Sequence, residues 1–332
     1  MHRQVLKPTL FTAVWVASAL LSHAAMITED FTKDPVTRGW RIFGDTNLFV
    51  WDATNHNLNV TWDSSRTNSY FYLPLGTILN RYDDFSIGLD LQLTDVAAGA
   101  NSTKPSTFEL ALGFLNITQA TKTNFFRGSG FDSPNLVEFD YFPECEFAPT
   151  VWPSIWSTNS SLNYNGSGDS TIMALPTGSL MRLTMGYTAS NRTLVTSITT
   201  NGISIGAIHD VSLSASFTDF RVTAFAVESY SDVGQDPHYD AGSLLAHGSV
   251  GNLMLTFPPP PVQNLIGKFA NQQWEVTFTS RTNWLYTLER TVDFRFWTAV
   301  SWMTPGNGMA LTLPDTNPPP ARAYYRVRAE RP

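Results

Sequence analysis

A chain of 332 residues with a net charge of −7 is long enough for two domains, and its one cysteine, Cys145, excludes an internal disulfide. The charge is uneven: from Val262 onward eight Lys/Arg face five Asp/Glu, while the section between Lys7 and Val262 carries 11 basic against 23 acidic residues. An acidic body excludes nucleic acid as a partner and suits calcium, which takes carboxylate and carbonyl oxygens.

Residues 1–24 read as an export signal. Arg3 and Lys7 precede an apolar run over 10–21, and Ser22-His23-Ala24 offers small residues for cleavage after Ala24. That run is shorter than the roughly 20 apolar residues that span a bilayer, and no later segment qualifies. The expected product is therefore secreted, periplasmic or held at the cell surface, with no membrane span.

From there strand patterns dominate. Period-two alternation predicts strands over 57–62, 85–93, 108–114, 180–187 and 194–200, with Gly, Asn, Asp and Pro between them. Many short strands and no long 3.6-residue period imply an all-β, antiparallel jelly-roll sandwich over 25–257. Asn201-Gly202 predicts a tight hairpin between 194–200 and 203–208. Gly202-Ile203-Ser204-Ile205-Gly206 matches the G-x-S-x-G pattern of serine hydrolases, but a hairpin is not the strand–turn–helix that motif needs. Sequons at Asn59, Asn101, Asn116, Asn159, Asn165 and Asn191 would be surface sites in a glycosylating host.

The most informative stretch is Val137-Glu138-Phe139-Asp140-Tyr141-Phe142-Pro143-Glu144-Cys145-Glu146. As a strand it puts Val137, Phe139 and Tyr141 on one face and Glu138, Asp140 and Phe142 on the other. Two acids on one face can hold a cation, bind a sugar hydroxyl or do acid–base chemistry. Trp152, Trp156 and Tyr164 follow; their rings would suit the C–H faces of a sugar or would pack in a core. Asp232, Asp236 and Asp240 sit among Gly and Pro, which reads as a solvated turn or an oxygen-rich calcium loop, with Glu29 and Asp30 as neighbours.

Pro258-Pro259-Pro260-Pro261 predicts a stiff, extended linker over 258–262. Beyond it, strand patterns over 274–278, 284–289, 297–300, 309–313 and 324–328 predict a small β-sandwich over 263–332, whose aromatic residues are read as packing.

Val137-Glu138-Phe139-Asp140-Tyr141-Phe142-Pro143 resembles the V-E-F-D-T-F or V-E-L-D-T-Y-P strand of the L-type lectins. There the Glu and Asp ligate a transition metal, and the Asp also bridges to calcium beside the carbohydrate pocket. Leu183-Thr184-Met185-Gly186-Tyr187 and Asn191-Arg192-Thr193-Leu194-Val195-Thr196 resemble late strands of concanavalin A-like and laminin-G-like domains. This resemblance runs from Met26 to Phe257. It implies Glu138 and Asp140 as candidate ligands, while the further Asn, Asp and His ligands of the lectins have no counterpart here.

Glu138, Asp140 and Glu144 also resemble the E-x-D-x-x-E or E-x-D-x-E signature of retaining glucanases, with one residue too many. Six residues of strand separate two Cα atoms by about 20 Å, whereas the carboxyl groups of a retaining pair sit about 5–5.5 Å apart. The C-terminal unit resembles the fibronectin III-like or immunoglobulin-like sandwiches of secreted bacterial proteins through Trp284 to Arg290, Trp297 and Tyr324 to Arg328.

The sequence thus predicts an exported, non-catalytic protein that binds a polysaccharide or glycan through Glu138, Asp140, Glu144, Trp152 and Trp156. Calcium is the candidate cofactor, at Glu138 and Asp140 or at Asp232 and Asp236. The alternatives are a glycoside hydrolase or polysaccharide lyase using Glu138 and Glu144, and a structural or adhesive surface protein.

Overall fold

The computed structural model describes residues 24–97, 107–123, 135–145, 148–157, 165–214, 217, 219–232, 242–320 and 322–332. The export signal and the positions of Tyr164, Asp236, Asp240 and Glu146 lie outside these residues.

Among the described residues, two antiparallel nine-stranded sheets form the larger unit, and the jelly-roll sandwich expected from the alternation is present. The first sheet runs Ile203–Ser204, Thr193–Thr200, Leu180–Thr188, Phe85–Ala97, Leu245–Phe257, Asn57–Asp63, Phe49–Asp52. Ala25–Glu29 also pairs with Leu245–Phe257, and Val211–Ser212 with Thr193–Thr200. The second sheet runs Asn165–Gly168, Ser154–Ser157, Leu136–Cys145, Leu110–Leu115, Val222–Ser229, Ser69–Leu79, Arg41–Phe43, with Ala148–Val151 and Thr171–Ile172 beside Leu136–Cys145. Asn201 and Gly202 take the positive φ angles of the predicted hairpin, 53° and 77°. The strand that leaves this turn is only Ile203–Ser204, because Ser204 Oγ bonds Gly206 O and curls the chain away.

The inner faces of the two sheets make one core. Val137, Phe139 and Tyr141 point into it with Leu112, Phe114, Phe225 and Val227, against Phe85, Ile87 and Leu89 of the first sheet. Phe85 meets Phe114 edge-on at 5.1 Å between ring centroids. Each such buried side chain stabilises the sandwich by about 1.5–3 kcal/mol relative to exposure.

The outer face of the second sheet is buried as well, and here the structure departs from the half-buried strand that alternation implied. Tyr70, Ala111, Leu115, Ala120, Leu136, Ala226 and Tyr230 form a second apolar cluster on it. The short helix Ile117–Ala120, capped by the Asn116 side chain on Gln119 N, supplies Ala120. All six residues from Leu136 to Tyr141 are consequently buried.

The C-terminal strands form a three-stranded sheet, Gln263–Ala270, Gln273–Thr279 and Ala310–Asp315, and a four-stranded one built on Leu285–Thr291. Val276, Phe278, Tyr286, Leu288 and Leu313 pack between them. The proline run is pinned to the C-terminal unit at two of its carbonyls. Pro259 O accepts from Arg281 Nη1 at 2.9 Å and Pro261 O from Tyr286 Oη at 2.7 Å. Asp83 of the jelly roll pairs with Arg281 at 2.7 Å and with Arg331, and Arg221 reaches Pro332 O at 2.7 Å. Burial lowers the Arg281 pKa below the usual guanidinium range, against the pull of Asp83.

Candidate functional site

Register explains where the acids of the strand Leu136–Cys145 go. Glu138 pairs with Gly113 on one side and Ser154 on the other, and Asp140 pairs with Ala111. Ala111 in turn pairs with Glu228, and Gly113 with Ala226. Small residues in the middle strand leave room for carboxylates from both neighbours. A Cβ on Gly113 would lie 2.3 Å from Val137 O and 2.7 Å from Glu138 Cα, so the backbones meet there only because that residue is glycine.

The result is a sealed acidic group. One carboxylate oxygen each from Glu109, Glu138 and Asp140 lies within 4.8 Å of the others. Glu109 is 4% exposed, Glu138 0%, Asp140 2% and Glu228 0%. Tyr230 Oη contacts Glu138 Oε1 at 2.6 Å and also Glu228 Oε2, and its single hydrogen can be donated to only one of them at a time. Ser154 Oγ donates to Asp140 Oδ2 at 2.7 Å. Buried carboxylates are tolerated only when hydrogen-bonded or paired, which is what this arrangement begins to supply. Three carboxylate oxygens in one group are also a donor set of the kind calcium takes.

Glu144 is not part of that group. It is exposed, and its backbone is tied to Thr107, whose N donates to Glu144 O at 2.7 Å. A register shift between Phe142 and Cys145 carries it away from the regular ladder. The structure therefore joins Glu138 to Glu109 and Asp140, and not to the Glu144 that sequence spacing suggested.

Trp152 and Trp156 share the outer face with Ser154 between them, although Pro153 divides their segments into Ala148–Val151 and Ser154–Ser157. Their environments differ. Trp156 packs on the second apolar cluster. Trp152 is 37% exposed, and its N donates to Asp140 O at 2.8 Å. Its indole tilts against Phe142 at 6.2 Å and 58° and lies over Gly168, where a Cβ would meet Nε1 at 2.4 Å. Next to Gly168 the exposed Asp169 contacts His209 Nδ1 at 3.4 Å. A half-open ring thus stands beside the strand that carries the buried acids, tied to it through the Trp152 N to Asp140 O bond, while Asp169 follows Gly168 in the chain and is exposed.

Asp232, read from sequence as part of a solvated turn or a calcium loop, is 1% exposed and accepts from Gly242 N, Ser243 N and the Ser64 and Ser243 hydroxyls. It ties together the chain on either side of 233–241. Glu29 and Asp30 are not its neighbours. Glu29 pairs with Leu253, toward the far end of Leu245–Phe257, and bonds Arg38 and Trp40.

Sequence reasoning missed Glu109, Glu228, Tyr230 and Ser154. The available signal was the alternation of small and large residues in Leu110-Ala111-Leu112-Gly113-Phe114, which marks a face with space for something large from its neighbours.

No family model and no curated protein matches the chain. Among solved structures it is similar to lectin II from Ulex europaeus at 11% identity, over 71% of this chain and 99% of that one, with a TM-score of 0.46. It is similar to the legume lectin-like domain from Entamoeba histolytica at 12% identity, over 68% and 95%, with a TM-score of 0.38. It is also similar to an endo-1,3-beta-glucanase from Streptomyces sioyaensis at 13% identity, over 72% and 99%, with a TM-score of 0.38.

Proposed function

We propose that this is an exported, non-catalytic carbohydrate-binding protein whose jelly roll takes a polysaccharide chain on Trp152. The observation that carries this reading is the contrast on one sheet face between sealed carboxylates and an indole left 37% open. A sugar ring stacks its C–H face on such a ring, and the exposed carboxylates of Asp169 and Glu144 accept from its hydroxyls. Glu138 and Asp140 act from beneath, holding Ser154, Tyr230 and the backbone that positions Trp152. If calcium binds, Glu109, Glu138 and Asp140 are the residues that would hold it, and it would offset their mutual repulsion.

A hydrolase or lyase reading is disfavoured by burial, since a carboxylate with no solvent exposure meets no substrate. The adhesive reading is favoured by one observation, the filled face over Glu138 and Asp140. Affinity electrophoresis in gels containing laminarin or agar separates the two. Retardation of the wild type that Trp152→Ala abolishes supports binding, whereas no retardation in any polysaccharide supports adhesion without a sugar ligand.

A further inference from the structure

We propose that the C-terminal unit carries a second saccharide subsite, in a hollow of ≈ 430 Å³ between the Gln263–Ala270/Gln273–Thr279 hairpin and the run Pro318-Pro319-Pro320. This subsite does not rest on the Trp152 reading. The hairpin turns through Asn271 and Gln272, at φ 51° and 63°, which places the Gln272 side chain on the lining. Phe269 stands opposite Trp274 in register and is 64% exposed, far more than a packing residue of a small core. Tyr325 stacks on Trp274 at 5.2 Å and 20°. Its hydroxyl donates to Asp315 Oδ2 at 3.0 Å, and Arg290 bonds the same oxygen at 2.7 Å. Arg290 also bonds Asn317 O at 2.8 Å, which fixes the chain entering the proline run. Burial and the Asp315 charge push the Tyr325 pKa up to about 12, so the hydroxyl stays a donor at neutral pH.

The chemistry of the lining selects the ligand. Phe269, Trp274 and Tyr325 offer aromatic surface, and among the described lining residues there is no charged side chain. Three successive prolines bring no backbone N–H donor to this lining, and the Gln272 amide both donates and accepts. Such a surface complements a neutral molecule with apolar faces and many hydroxyl donors, which describes a neutral saccharide. A proline-rich peptide also fits aromatic grooves, but it brings fewer hydroxyl and N–H donors than a saccharide to a lining whose prolines supply none. The volume lies within the range of about 300–1,000 Å³ typical of small-ligand sites.

The test uses the full chain with ¹⁵N-labelled tryptophan, titrated with neutral laminari-, cello- and agaro-oligosaccharides and separately with a proline-rich peptide. The Trp274 indole N–H resonance, assigned through Trp274→Phe, is expected to shift with one of the sugars. The shift should persist in Trp152→Ala, and Phe269→Ala should weaken it about tenfold, the effect of losing one aromatic contact. Because Phe269 is largely exposed, that variant keeps its fold. A Trp274 signal unmoved by every sugar, moved equally in Phe269→Ala, or moved only by the peptide overturns the proposal. The Trp152 resonance reports separately on the jelly-roll site.

Discussion

Tyr230 shows how single residues hold the buried acids. Its hydroxyl lies between Glu138 and Glu228, and hydrogen bonds to charged groups contribute about 1.5–3 kcal/mol. Tyr230→Phe keeps the ring packing and should lower the unfolding free energy by that amount in urea denaturation, with polysaccharide affinity unchanged. Loss of binding at full stability would instead put the acids in contact with ligand. A second residue sets an alkaline limit. Burial raises the Tyr187 pKa from 10.0 to about 12, and its hydroxyl donates to Arg81 O. The unfolded chain loses this proton first as pH rises above 10, so the folded state binds more protons and stability falls between pH 10 and about 12. The fall in Tm across that window should be smaller in Tyr187→Phe. At this scale the pair Glu138 and Asp140 was legible in sequence, because a period of two puts i and i+2 on one face. Their partners were not, since Tyr230 lies 92 residues from Glu138 and is brought to it by strand pairing.

At the scale of elements, the middle strand Leu110–Leu115 decides whether the acidic group can exist. Gly113→Ala would press a methyl group onto the backbone of Leu136–Cys145 and should cost about 1–3 kcal/mol, as overpacking does. A hydrogen-exchange experiment would show faster exchange along both strands; unchanged stability and exchange would mean the strands part without cost. Sequence alternation gave these strands and the inward set Val137, Phe139 and Tyr141 correctly. It could not show that the opposite face is buried too, because that depends on the helix Ile117–Ala120 and on the apolar cluster around Tyr70 and Ala226, which period-two reasoning treats as outside. The same limit applies to the tryptophans. Spacing put Trp152 and Trp156 together, but only the packing of Trp156 and the openness of Trp152 separate scaffold from platform.

Over the whole molecule, the aspartate Asp83 links the two units through Arg281 and Arg331. The Arg331 side chain is 1% exposed, so removing its partner leaves a buried charge uncompensated, a loss of about 3–5 kcal/mol. Asp83→Ala should lower stability by that amount in guanidinium titration and expose the 258–262 segment to proteolysis; a variant as resistant as wild type would show a junction held by other contacts. The four prolines marked this boundary in the sequence, but the ion pairs that stiffen it join residues 198 and 248 positions apart. The open Trp152 ring beside the buried acids is the proposed sugar platform. Affinity electrophoresis of the full chain in laminarin or agar gels, comparing wild type, Trp152→Ala and Tyr230→Phe, tests it most directly. Trp152→Ala is expected to weaken binding about tenfold or more, while Tyr230→Phe binds as wild type. Binding that survives Trp152→Ala undiminished, or that fails in Tyr230→Phe while the fold is intact, would contradict it.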